Sequence, residues 1–413
     1  MNTKIFKIAL NNVIKHKRRT IFNTLTFAAN AIALIWLIGM INGMYNQAYE
    51  QTISLDTGHF KIYHNDYAEH KIKMPIEYNI RNPYKLIDEI KTIPHFVSAA
   101  PRIMNSGMLS NTENKTTVAI TGIDMGLELK TTTLFSKMKE DNYLENGAGQ
   151  VLIGKRLAEM MKIQPGDFML LYAQTQYKAN NLVDAVVKGI YSTGFAPMEK
   201  RFVYVPLDFA QSVFDMENRA TEIIIRIDER KYVDEVKPEL ERIVSKYPGL
   251  VVRDWKQEAA ALIAGAQADY FSYGVIFAIL LFLAVFIIMN TLTIAVFERT
   301  AEIGTIRAIG LEKNQVRWIF LWEGVILSLG GAIIGGILAL PLVYYMNVVG
   351  ITFPAEFADK IPFPIESMLS KNAPFDWVLT TVICLVTGVI GAIFPANRAA
   401  GTNVVDALKK GVR

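Results

Sequence analysis

Four stretches of this chain, residues 20–46, 268–297, 318–347 and 374–396, contain no Lys or Arg. Each is about 20 residues or longer, enough for a helix to cross a hydrocarbon core about 30 Å thick. Four such runs impose a membrane fold and exclude a purely soluble globular enzyme. Composition enters only as support: 51% hydrophobic residues beside 20% charged ones means that the two kinds are segregated along the chain. The long interval between the first two runs, 47–267, is sufficient for one large domain or two small ones.

Charge orients the spans, because positive residues on short loops stay inside. Residues 1–19 hold six basic residues and no acid. With the loop 298–317 and the tail 397–413, the total is 14 basic against 4 acidic residues. The interval 47–267 holds 27 basic and 29 acidic residues. Both termini and the 298–317 loop are therefore expected in the cytoplasm, and 47–267 outside. The basic start and the run at 20–46 are read as an uncleaved anchor, since the run is too long for a signal peptide and no small-x-small pattern follows Gly43. In residues 1–19, Ile5, Phe6, Ile8, Ala9, Asn12, Val13 and Ile14 alternate with Lys4, Lys7, Lys15 and Lys17 at helical spacing. This predicts an amphipathic helix on the inner membrane surface. The single cysteine, Cys384, falls in the fourth run, so the outer domain has no intrachain disulfide.

The fold class expected is four transmembrane helices with a large mixed α+β domain between the first and second. Within 47–267, strand patterns at 59–63 and 116–123 flank a helical pattern at 83–92. The same order returns as a strand at 222–227, a helix at 233–246 and a strand at 250–253. These units, in 47–130 and 219–267, predict a split subdomain interrupted by a β-rich insertion, 131–218. The insertion has strand patterns at 151–153, 168–172, 183–191 and 202–205 and a helix at 154–161. A second outer loop, 348–373, is broken by Pro354, Pro362 and Pro364. It is expected to pack on the large domain.

Several tempting motifs fail. Gly149 to Arg156 spells most of a phosphate loop, but Arg156 replaces the Ser or Thr that would hold magnesium, and the interior reads as a strand. His59, His64 and His70 lack cysteine partners and zinc spacing, so no metal site is expected. No nucleophile context argues for catalysis. Nothing points to nucleic acid. Small residues that let helices approach are Gly39 and Gly43 in the first run and Gly331 and Gly335 in the third. Glu323 lies about five residues inside the third span, roughly 8 Å, where it can snorkel or meet Arg307.

The loop 298–317 carries the clearest signal. A helix from Glu298 to Ile309 would place Glu298, Glu302 and Thr305 on one stripe and Arg299, Ile303, Ile306 and Gly310 on another, with Gly310 as a left-handed stop. Such a charged, amphipathic element between two spans suits docking of a cytoplasmic protein.

This run, Glu298-Arg-Thr-Ala-Glu-Ile-Gly304-Thr-Ile-Arg307-Ala-Ile-Gly310 followed by Phe320-Leu-Trp-Glu323-Gly324, resembles the coupling helix and third span of the MacB, FtsX and lipoprotein-releasing (Lol-type) permeases of ABC transporters, the mechanotransmission type. Pro395-Ala-Asn-Arg-Ala-Ala400 leading to Asp406-Ala407-Leu408 resembles that group's ending, and Leu10-Asn11-Asn12 through Arg18-Arg19-Thr20 its entry. Residues 151–167, 189–194 and 203–214 resemble its outer domain.

The resemblance implies a non-catalytic permease in the bacterial inner membrane, with its large domain in the periplasm. ATP and magnesium would be bound by a partner ATPase dimer, with coupling through Glu298, Arg299, Glu302, Ile303, Gly304, Arg307 and Gly310. The second permease would be another copy or a sister. Size and layout look most like Lol-type proteins, which hand lipoproteins to a periplasmic carrier. The segment 173–182, where the group's carrier-recruiting member has a proline-bearing hook, is short and lacks proline, so a partner permease or a different hook would dock the carrier. Acyl chains of lipids or lipoproteins are expected between the outer halves of the first two spans, near Met40, Met44, Tyr45, Tyr270, Phe271 and Phe277. The alternatives are MacB-like efflux of peptides or drugs with an adaptor, and FtsX-like signalling to a periplasmic enzyme.

Overall fold

The computed structural model describes residues 2–111, 113–352, 367–404 and 407. The prolines of the 348–373 loop, and Asp406 and Leu408 of the C-terminal motif, lie outside the described residues. The chain divides into two units. One comprises residues 1–45, 265–352 and 367–413, the other 46–264 and 353–366.

Four helices of the first unit are long and apolar enough to cross a membrane. They are Lys17–Thr52, Ala260–Glu298, Lys313–Val348 and Pro374–Ala400, the first and second continuing into the other unit. Each outruns its apolar stretch, because nothing in the flanking residues stops a helix until a cap or a glycine does. The third helix, for example, starts at a capping box in which Glu312 and Gln315 satisfy each other's backbone N–H. Ahead of the first span, helix Asn2–Lys15 forms as its periodicity predicts. Part of its apolar face packs on the protein. Ile5 and Ala9 are buried against Ile319 of the third spanning helix, and Phe6 meets Trp322 edge-on at 5.3 Å.

The second unit is built on a sheet of nine strands: β1 Phe60–His64, β2 Phe96–Ser110, β3 Lys115–Ile123, β4 Gln150–Gly154, β5 Phe168–Gln174, β6 Asn180–Tyr191, β7 Phe202–Pro206, β8 Glu222–Ile227 and β9 Leu250–Asp254. The order is β9-β1-β8-β2-β3-β7-β4-β6-β5, and β5 also pairs with β2 at Gly107–Ser110. That last pairing closes β2, β3, β7, β4, β6 and β5 into a six-stranded barrel. The remaining arm, β9-β1-β8-β2, is antiparallel, with one crossover helix between β1 and β2 and another between β8 and β9. It is the split β-α-β arrangement.

The two halves meet in β2. Its first half pairs with β8 and its second with β3 and β5. The sequence pattern assigns the second strand of the first unit to 116–123, whereas that stretch, within β3, belongs to the barrel. β2 is the strand that pattern passes over, because Pro101 and Gly107 punctuate it. Pro101 is tolerated since the β3 ladder begins only at Arg102, so on that side no strand needs its missing N–H.

One face of the arm is apolar. Phe60, Ile62, Ile223 and Ile225 pack under helices Pro83–Ile90 and Val233–Val244 through Leu86, Ile87, Ile90, Val236 and Leu240. The opposite face is ionic and almost as buried. Lys61 reaches Glu222 at 3.2 Å and Asp56 at 3.3 Å, and Arg102 is held by Glu128, whose side chain is fully buried. Tyr63 and Lys71 both donate to Glu258. Burial pushes the Asp56 carboxyl up, but the nearby cations Lys61, Lys71 and Arg102 outweigh it and hold it at about 2. Burial opposes ionisation of Glu258 as well, and Lys71 and Lys61 bring it below its ordinary value.

Candidate functional site

The second spanning helix ends at Glu298, and a separate helix, Thr300–Ala308, begins one residue later. The break at Arg299 divides what the spacing reads as one helix from Glu298. Arg299 is 8% exposed. It donates to Glu302 at 3.0 Å and to Glu323 at 3.3 Å. Glu323 has a side-chain exposure of 0%. It also accepts from Asn12 at 2.8 Å and Arg19 at 3.3 Å. One buried carboxylate thus ties together the amphipathic helix, the entry to the first span, the link between second and third spans, and the third span itself. It does not snorkel and does not meet Arg307. The cost of burying it is met by two guanidinium groups and an amide.

The link helix has two distinct faces. Ile303 is buried with Val296, Val316, Phe320, Ala396 and Ala399. Gly304 is needed by contact, since a Cβ there would lie 2.6 Å from Ala407 Cβ. Arg307 donates to the carbonyls of Ala400 and Thr402, the end of the fourth spanning helix, where a cation also meets the negative end of the helix dipole. Glu298, Glu302, Thr305, Ala308 and Ile309 face solvent, with Ile309 80% exposed. Gly310 has φ 112°. Its N–H and that of Leu311 return to Arg307 and Ile306, a left-handed stop.

At the other end of the first two spans, Tyr45 and Tyr270 face each other at 5.9 Å between ring centroids. Tyr45 donates to Asp269, and Tyr270 donates to Asn42 at 2.9 Å. Met44 is buried and Met40 half-buried, whereas Phe271 is 77% exposed and Phe277 half-buried. Met44 and Tyr45 are enclosed, and Phe271 faces outward.

A family model described as FtsX-like permease C-terminal matches residues 274–404, and one described as MacB-like periplasmic core domain matches residues 20–243. This chain belongs to the MacB, FtsX and Lol permeases of ABC transporters. The permease is similar to a lipoprotein-releasing system transmembrane protein LolC of Xylella fastidiosa, 24% identical over 77% of this chain and 79% of that protein. A LolC of Haemophilus influenzae is 19% identical over 94% of this chain and 92% of its own length. Among solved structures, the periplasmic region of MacB from Actinobacillus actinomycetemcomitans matches at TM-score 0.37 and 12% identity, over 52% of this chain and 97% of that one.

In the permease, Gly331 and Gly335 lie against the first spanning helix, where a Cβ would come within 2.3 Å of Phe27 Cβ and 2.5 Å of the Ala28 carbonyl. Gly39 and Gly43 instead make room for the segment 369–372. A Cβ on Gly43 would lie 1.8 Å from the Leu369 carbonyl, and Lys371 N–H donates to the Gly39 carbonyl at 2.8 Å. The GxxxG of the first span thus cradles a loop.

The residues that sequence reasoning missed are Asn12, Arg19, Asn42 and Asp269. Asp269 did carry a signal, as the one acid in an otherwise uncharged run. Asn12 and Arg19 stood only within the stretch that resembles the family's entry to the first span, with no partner to be read for them, because both look like ordinary polar positions in a basic leader.

Proposed function

We propose that this permease works with a separate ATPase dimer to release lipoproteins from the bacterial inner membrane toward a periplasmic carrier. The observation that carries the reading is that likeness to LolC proteins runs over 94% of the chain, the inserted domain included. The charge distribution supports cytoplasmic placement of the termini and the link helix. In this reading the ATPase, which holds ATP and magnesium, docks on Glu298, Glu302, Ile309 and Gly310. Arg299, Ile303, Gly304 and Arg307 pass its movement inward, to Glu323 and to the end of the fourth span. Tyr45, Tyr270, Met40, Met44, Phe271 and Phe277 border the region where acyl chains would leave the bilayer. A second permease, identical or related, completes the transporter.

Depletion of the permease in its own cells tests this. Lipoproteins should accumulate in the inner-membrane fraction. Normal lipoprotein sorting with new drug sensitivity would move the reading to efflux, and normal sorting with defective cell separation would move it to signalling.

A further inference from the structure

Outside the spans, the second unit holds a cleft of about 560 Å³ whose lining includes His59, Arg226, Arg230 and Trp255. The four acids on its lining each have a partner, three of them a Lys or Arg and the fourth a histidine ring. Glu50 pairs with Arg230 at 3.4 Å, Glu229 with Lys231 at 2.9 Å, Asp234 with Lys256 at 2.9 Å and Asp228 with His95 at 3.2 Å.

What is left over is a set of donors. Arg226 meets only the Thr131 carbonyl, at 3.5 Å, and no carboxylate among the described residues. Trp255 is 6% exposed, and its indole N–H has no acceptor among the described residues. His59, also 6% exposed, accepts the Ile227 N–H at its Nδ1 at 3.2 Å. That bond places the ring proton on Nε2. No acceptor for this Nε2–H is present among the described residues. Burial, with Arg226 and Arg230 nearby, holds His59 neutral down to about 4, so it acts here as a neutral donor.

These donors are fixed in place. The backbone N–H of Trp255 donates to the His59 carbonyl at 3.0 Å, and the backbone N–H of His59 donates to the Ile225 carbonyl at 2.8 Å. Gly58 makes the turn into His59 at φ 58°, where a Cβ would come within 2.7 Å of the Ile225 carbonyl. Asp254 caps the turn that carries Trp255, accepting the Gln257 N–H at 3.0 Å. A buried N–H without an acceptor costs about 1–3 kcal/mol. A cleft with one unanswered guanidinium, one such buried donor in the Trp255 indole and the His59 Nε2–H beside them is built for an oxyanion.

We propose that this cleft binds a phosphate group, with Arg226 supplying the charge and His59 Nε2–H and Trp255 Nε1–H the neutral hydrogen bonds. The group belongs either to a phospholipid headgroup or to a soluble phosphate.

Full-length permease in detergent is titrated by calorimetry with two probes, inorganic phosphate and dihexanoyl-phosphatidylethanolamine below its micelle concentration. Binding of the lipid probe alone identifies a headgroup site, and binding of both identifies a site open to soluble phosphate. In either case Arg226→Gln should weaken binding about tenfold or more, as expected for loss of a charge-assisted pair. Trp255→Phe, which keeps a smaller aromatic ring and removes the N–H, should weaken it about three- to tenfold. Neither probe binding at millimolar concentration, or equal binding by wild type and by an Arg226→Gln protein with an unchanged unfolding temperature, would overturn the assignment.

Discussion

Glu323→Gln is expected to reduce ATP-driven lipoprotein release about tenfold or more while the permease still inserts and accumulates normally. The substitution preserves shape and the Asn12 contact but removes the negative charge that Arg19 and Arg299 share, leaving Arg19 without a carboxylate and Arg299 with Glu302 alone. Both guanidinium groups are largely enclosed, Arg19 at a side-chain exposure of 14% and Arg299 at 9%. A buried cation that loses its partner costs about 3–5 kcal/mol. The structure relieves that cost by letting Arg299 or Arg19 turn outward. Either movement unhooks the link helix from the third span or the first span from both, so an ATPase that still docks would move a helix no longer attached to the rest. Release measured from membranes containing the partner ATPase, alongside ATP hydrolysis, distinguishes this from misfolding. The expected pattern is retained hydrolysis with lost release. Full release by the variant would remove Glu323 from the transmission path.

Arg102→Met should destabilise the inserted domain by about 3–5 kcal/mol. It leaves the buried carboxylate of Glu128 without its guanidinium and takes one cation away from Glu222. For a domain of this size, that corresponds to a fall of about 6–20 °C in its unfolding temperature. The position is unusually sensitive because β2 joins the barrel to the split β-α-β arm, and Arg102 stands where the two pairings overlap. The double change Arg102→Met with Glu128→Leu should recover most of the loss, since an apolar pair of similar volume replaces a buried ion pair at little cost. Scanning calorimetry of the full-length protein checks both. A single variant as stable as wild type would show that the ion pair contributes nothing net.

Much of the architecture was legible in the residues. Four runs without Lys or Arg became four long helices, and the repeated strand-helix-strand order became the split arm except for its strand at 116–123, which the barrel takes, because hydrophobic period and length report directly on burial. The barrel's closure was not legible. It depends on β5 returning to β2, a pairing between residues 60 to 66 positions apart, and on a strand that its own proline and glycine disguise. The two faces of the link helix were visible in its spacing, with Arg299 and Ile303 turned in and Glu298 and Glu302 turned out. The break at Arg299 was not, since no proline or glycine marks it and the kink answers to Glu323, a partner 24 residues away. Arg307 was misread for a related reason. A cation near an acid in sequence suggests a pair, but the carbonyls at the end of the fourth span attract it instead.

The central claim is that ATP hydrolysed beneath the membrane moves lipoproteins above it through this chain. Proteoliposomes containing the permease, its ATPase and a labelled lipoprotein, incubated with a soluble lipoprotein carrier, measure it most directly. The account predicts that lipoprotein appears in the soluble fraction only when ATP is hydrolysed. Steady hydrolysis with the lipoprotein still in the bilayer would contradict it.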